Sequence, residues 1–211
     1  MALAGLFWIL FLIIHLLGNL TILTGNPATL NLYSHKLLST GPLLYFLEAL
    51  LVIALVLHMI YGVTVFLDKR RARPQKYERL RSKGAPSKEN ISSLTMIYSG
   101  VLLFVFLVVH LLNFKYGKVY TVEYDGVVVR DLYRLVVETF HQPLYVVFYV
   151  VIMILLFSHL RHGFWSAFQS LGLAHPRYTP IIYAIGILLA IVLAVGYILL
   201  PIYVYFFVPL P

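Results

Sequence analysis

Four histidines, His15, His58, His110 and His159, each stand inside an apolar run of this 211-residue chain. An ionisable side chain at membrane depth is costly, so by default it marks a functional site. A neutral imidazole offers one bare nitrogen lone pair, and it is the usual protein ligand for haem iron. Four such residues on four separate runs suggest two bis-histidine sites. Zinc fits less well, because no carboxylate or thiol accompanies any pair and two ligands do not close a zinc site. For any one of these histidines alone, a hydrogen-bonded packing role is the competing reading.

The chain is 61% hydrophobic and only 11% charged, against about 25% charged in an ordinary soluble domain. One core cannot bury that excess, which implies a single integral membrane domain over residues 1–211. There is no cysteine. Disulfides, thiolate-held iron–sulfur clusters and covalently attached c-type haem are therefore excluded. The formal charge of +8 is concentrated, with nine of the sixteen Lys and Arg between Lys69 and Lys88. That clustering reads as a topology signal rather than a nucleic-acid site.

The elements that must position the histidines follow from a span needing about 20 apolar residues. The expected fold class is all-α, an integral membrane bundle of five transmembrane helices at residues 3–24, 42–67, 93–114, 143–161 and 179–207. Pro42, Pro143 and Pro180 sit near helix starts, where a missing N–H costs least. Pro201 lies inside the fifth span and is expected to kink it or end it early. The basic connection at 68–92 should face the cytoplasm, which places the N-terminus inside and the C-terminus outside. The first span lacks a charged leader and a convincing small-residue cleavage site, so it reads as a mature span rather than a signal peptide. The connection at 115–142 is an outer loop, and Asp125–Gly126 within it predicts a tight hairpin. Helix-like spacing over 131–140 follows.

Alternating span direction sorts the histidines by depth. His15 and His110 fall in the outer half, and His58 and His159 in the inner half. Gly62 follows His58, and Gly163 follows His159, at four residues; Gly18 follows His15 at three. Each glycine lies one turn on, on the same helix face, where it would leave room for a flat macrocycle; close helix packing is the alternative. His35 and His141 read as outer-surface residues and His175 as an inner-loop residue. His162, at the inner end of the fourth span, competes with His159 as the ligand.

At these positions the chain resembles the diheme cytochrome b membrane anchor of succinate:quinone oxidoreductases and quinol:fumarate reductases, of the single-polypeptide five-helix type. The segments carrying the likeness are FLIIHLLGN, FLEALLVIALVLHMIYGV, SGVLLFVFLVVHLLNF and SHLRHGFWSAFQSLGL, the last being the most specific. Apolar residues follow Met1 directly, whereas relatives usually begin with a short basic segment. The resemblance implies two haem b groups, the outer one on His15 and His110 and the inner one on His58 and His159. It implies a flavoprotein partner with FAD and an iron–sulfur partner, both docked on the cytoplasmic side. Electrons would pass between these and quinone, commonly menaquinone, so the chain is the membrane subunit of an enzyme whose dicarboxylate chemistry lies elsewhere. The setting implied is the cell inner membrane, with higher oligomers of the whole complex open. The alternative is a haem b quinone-reactive subunit of a hydrogenase or formate dehydrogenase type.

Haem propionates need cationic or hydrogen-bonding partners. Arg161, His162 and Tyr61 lie near the inner pair, and Lys115, Tyr116 and His141 near the outer pair. For quinone, the candidates near the outer pair are Glu48, His35, Lys36, Tyr33 and Asn19. Trp165 and Ser166 are the candidates near the inner pair and the iron–sulfur partner.

Overall fold

A computed structural model describes residues 1–72 and 91–210. Most of the basic connection, residues 73–90, lies outside the described residues. Among the described residues, five helical segments are long and apolar enough to cross a membrane: Ala2–Thr24, Pro42–Arg71, Met96–Lys115, Pro143–Ser170 and Thr179–Phe207.

The first comprises α1 (Ala2–Asn19), tightened into a 3-10 turn at Leu20–Thr24. A helix that the sequence reading took for loop follows, α2 (Pro27–Leu38). Asn26 caps it by accepting from the Ala28 N–H, and Pro27 supplies a fixed φ at its first turn. The second span is α3 (Pro42–Arg71). The third is preceded by a short turn, α4 (Ile91–Leu94). Its body is α5 (Met96–His110), and a π-helical turn at Leu111–Lys115 ends it. The hairpin lies where Asp125–Gly126 predicts it. Strands β1 (Thr121–Tyr124) and β2 (Val127–Arg130) pair antiparallel with Tyr124 opposite Val127. Asp125 and Gly126 both have positive φ, 49° and 80°, as a two-residue turn of matching twist requires. Then come α6 (Leu132–Phe140), α7 (Pro143–Ser170) and α8 (Thr179–Phe207).

The fourth span departs most from the hydropathy reading, whereas the fifth keeps its expected bounds. The fourth span runs nine residues past the expected end at Arg161, to Ser170. Polarity rises there, but Trp165 and Ala167 stay buried and Phe164 packs against Gly186 of α8. Tertiary contact, not apolar length, sets the end. The fifth span is not ended by Pro201; the helix continues to Phe207 with Pro201 buried inside it. Neighbouring helices let membrane helices tolerate a proline that would break an exposed one.

Helices α1, α3, α5 and α7 form a ring. Packed neighbours are α1 with α3, α3 with α5, α5 with α7, and α7 with α1. The pairs α1/α5 and α3/α7 therefore face each other across diagonals. α8 lies outside the ring, packed most closely on α7. Gly186, Ala190 and Ala194 recur every fourth residue along α8 and are buried. Small residues at that spacing let helix backbones approach where no hydrophobic force joins them in lipid.

The end of the bundle bearing the hairpin is closed by α2, the hairpin and α6, with one polar side chain at their junction. Asn31 is wholly buried. Its Nδ2 donates to Asp131 at 2.8 Å and to the Tyr124 hydroxyl at 3.2 Å, and its Oδ1 accepts from the Tyr133 N–H at 2.8 Å. Asp131 also caps α6 by accepting from the Arg134 N–H. On the exposed side of α6, Glu138 accepts from the Tyr120 hydroxyl at 2.6 Å and from Arg134 Nε at 2.8 Å. Those two donors, the hydroxyl first, hold its carboxyl below the ordinary glutamate range.

Asn31→Ala leaves a buried N–H and carboxylate without their partner. The expected loss is about 1–3 kcal/mol, seen as a lowered unfolding midpoint in detergent together with faster proteolysis within 117–131. Unchanged proteolysis would show that the hairpin is held elsewhere.

Candidate functional site

The histidines expected to pair do come together, and each pair reaches across a diagonal of the ring. His15 on α1 faces His110 on α5, with ring centres 5.8 Å apart. His58 on α3 faces His159 on α7, with ring centres 6.2 Å apart. Facing helices of a bundle commonly build cofactor sites in this way. One metal ion bonded at about 2.0 Å to a nitrogen of each ring sets the ring centres roughly 6 Å apart, so both spacings fit a shared ion. Among the described residues, no group of three or more His, Asp or Glu side chains gathers to hold a metal.

The pairs lie at two levels. Gly5 of α1 lies against the His58 ring, and a Cβ there would stand 3.3 Å from its Cε1; Gly100 of α5 lies against His159 in the same way, at 3.5 Å. From Gly5 to His15, from Gly100 to His110, and from Tyr149 (which meets His110) to His159 is ten residues each time. Three helices therefore give the same separation, about 15 Å at 1.5 Å per residue. The His15–His110 pair is the one toward the hairpin.

The α5–α7 interface holds one ring of each pair. His159 Nδ1 meets the Ser99 hydroxyl at 3.1 Å, and His110 Nδ1 meets the Tyr149 hydroxyl at 3.2 Å. Each histidine is engaged by the other helix, and in both cases through Nδ1, which leaves Nε2 for a ligand. The partners on α1 and α3 are not held so. His15 stacks on Phe11 at 5.2 Å, and His58 Nδ1 is buried without a hydrogen bond. Tyr197 of α8 also borders His15, at 6.2 Å between ring centres, with its hydroxyl donating to the Leu12 carbonyl.

The glycines one turn past the histidines divide. Gly163 faces open space, and the nearest atom to a Cβ on Gly62 would be Met1 Cε at 4.0 Å. Gly18 is different: the Tyr33 ring fills its position, with the hydroxyl 2.6 Å from where a Cβ would stand. There the missing side chain seats α2 on α1, and the expected room for a macrocycle at that turn is absent. Gly5 and Gly100, which border the rings, were not singled out in the sequence. They lie on other helices than the rings they touch, so no local spacing reveals them.

Around the His58–His159 level, Arg161 Nε, His162 Nδ1 and Trp165 Nε1 are all buried and without a hydrogen bond. All three lie on α7, and Trp165 and Ser166 are helical residues rather than part of the connection expected after residue 161. Arg161 Nε and Trp165 Nε1 are donors that an anionic or carbonyl group would satisfy, and His162 Nδ1 donates or accepts according to its tautomer. Tyr61 is exposed, one turn past His58. At the other level, Glu48 and Lys115 form an ion pair between α3 and the π turn, which joins a proposed quinone residue to a proposed propionate residue. Lys115 also lies over the Tyr116 ring. His141 Nδ1 is bonded to the carbonyl of Val137. Asn19 Nδ2 donates to the His15 carbonyl, so that amide braces its own helix. Tyr33, His35 and Lys36 all lie on α2, of which only Tyr33 is seen against the His15-bearing helix.

Gly100→Ala brings only an ordinary contact with His159 and should change stability by less than about 0.5 kcal/mol. Gly100→Leu must displace that ring, at an expected cost of about 1–3 kcal/mol. Thermal unfolding of both variants in detergent checks the contrast; equal behaviour would mean that the ring does not rest there.

No family model matches the chain, and no curated protein or solved structure matches it.

Proposed function

We propose that the chain is the diheme cytochrome b membrane anchor of a succinate:quinone oxidoreductase or quinol:fumarate reductase, passing electrons between an iron–sulfur subunit and quinone. One observation carries the reading: two imidazole pairs, each spanning a diagonal of the bundle at a spacing that fits a shared ion, stacked about 15 Å apart. Haem b, when bound, supplies a reversible one-electron change at iron. His15 with His110, and His58 with His159, are the residues that would hold the two irons. Two imidazoles per iron leave no open coordination position, which suits electron transfer rather than oxygen chemistry.

The remaining residues bind and orient. Arg161 and His162 offer buried donors to propionate oxygens near one pair, with Tyr61 nearby. Lys115, Tyr116 and His141 serve the other pair. Trp165 and Ser166 stand toward the iron–sulfur partner. Quinone, of the menaquinone class, is placed near the hairpin-side pair, among Tyr33, Asn19, His35, Lys36 and Glu48. Lys115 holds the Glu48 carboxylate, so a proton on Glu48 must displace that ion pair. The basic end of α3, Lys69–Arg71, is the cytoplasmic end by the positive-inside rule. That orientation docks the flavoprotein and iron–sulfur subunits beside the His58–His159 level in the inner membrane. The same pairs would also suit the haem b subunit of a hydrogenase or formate dehydrogenase complex, which the co-purifying subunits distinguish.

The test is a reduced-minus-oxidised spectrum with haem quantification on the complex purified with its partners. Two haem b per chain and a flavoprotein partner are expected. Cytochrome b bands absent from a complete preparation would end the proposal. His58→Ala and His159→Ala should each remove the same haem and spare the other, whereas His162→Ala should retain both; loss of different haems from the first two variants would break the pairing.

A further inference from the structure

Ser99 has one proton and two hydrogen-bond contacts. Its hydroxyl lies 3.1 Å from the Met96 carbonyl oxygen, one turn back on α5, and 3.1 Å from His159 Nδ1. A carbonyl only accepts, so the Met96 contact is a hydrogen bond only when Ser99 donates to it. The Ser99 oxygen is then an acceptor toward His159, and Nδ1 must carry the ring proton. In the opposite arrangement Ser99 donates to Nδ1, the Met96 contact is lost, and the proton moves to Nε2. No other described residue hydrogen-bonds the His159 ring, so that N–H would have no protein partner. The first arrangement keeps one more hydrogen bond in a dry interior, where an orphaned donor is costly. Ser99 is itself buried, 5% exposed, so water does not compete for its proton.

We propose that Ser99 is a positioning residue: it fixes His159 as the Nδ1-protonated tautomer and leaves Nε2 as a bare lone pair. Tyr149 meets the His110 ring and also the Asn113 side chain, an amide that can donate or accept, so no obligate acceptor like the Met96 carbonyl sets the direction of its proton. His58 has no partner at Nδ1. The four histidines therefore differ, and His159 is the one whose ligating nitrogen is set before any ligand arrives. The consequence for an iron rests on the haem reading above. An imidazole that donates from Nδ1 is a more basic ligand, which favours the ferric state and lowers the reduction potential of the haem it holds.

The experiment compares wild type, Ser99→Ala and Ser99→Thr in the purified complex. Thr keeps the hydroxyl, and Ala removes it. Potentiometric titration followed at the haem band should show one of two components shifted to higher potential in Ser99→Ala. The other component should be unchanged, and Ser99→Thr should resemble wild type. Both components unmoved in a folded Ser99→Ala complex would overturn the proposal, and so would an equal shift of both. Nitrogen-15 NMR of histidine-labelled chain, with His159 assigned by its loss in His159→Gln, reads the tautomer without any cofactor. The Nδ1-protonated form should dominate in wild type and give way to a mixture in Ser99→Ala. If wild type binds no haem, the functional reading fails while this measurement still decides the tautomer; a mixed tautomer in wild type overturns the proposal regardless of haem.

Discussion

The structure depends on the cost of placing an imidazole inside an apolar bundle. Water cannot satisfy its two nitrogens there, so the protein must supply partners or leave lone pairs for something else. Here it does half of each. One ring of each pair is held through Nδ1 by a hydroxyl, from Ser99 or Tyr149; opposite them, His15 stacks on Phe11 and His58 has Nδ1 without a hydrogen bond. Both hydroxyl-held rings belong to the α5–α7 interface. The bundle thus has one side that presents its histidines and another that completes the pairs.

Everything around the pairs serves that arrangement. The ring order of α1, α3, α5 and α7 puts the histidines on diagonals, the only lines across which side chains of non-neighbouring helices meet. Gly5 and Gly100 give the rings at one level space beside a backbone. The buried small residues of α8 bring that helix close to α7 from outside, stiffening the helix that carries both His159 and Tyr149. At the hairpin end, Asn31 ties α2 to the hairpin and α6 with one amide, beside buried apolar residues such as Leu30, Val129 and Val137.

Much of this was legible in the sequence. Long apolar runs reveal spans because length and hydropathy are local properties, and the Asp125–Gly126 pair announces its turn because only certain residues accept positive φ. The pairing of His15 with His110 and of His58 with His159 was readable because alternating span direction fixes depth. What was not legible depends on contacts between distant segments. The extension of α7 to Ser170 rests on α8, the filling of Gly18 on Tyr33, and the seating of His58 and His159 on glycines of other helices. Helix α2 carries a helix-start signal at Asn26–Pro27, but only about half of its residues are apolar, so it forms no membrane-length run.

The diagonal pairing also bears on how the protein is made. The ribosome delivers His15 and His58 first, yet their partners follow 95 and 101 positions later. At roughly 5–20 residues per second, each early imidazole waits several seconds or more for its counterpart. Ser99 and Tyr149 likewise join the third and fourth spans, so neither pair has its bracing until the fourth has entered the bilayer. A chain truncated before that span would carry three imidazoles in lipid, with His15 and His110 able to pair and His58 left without His159.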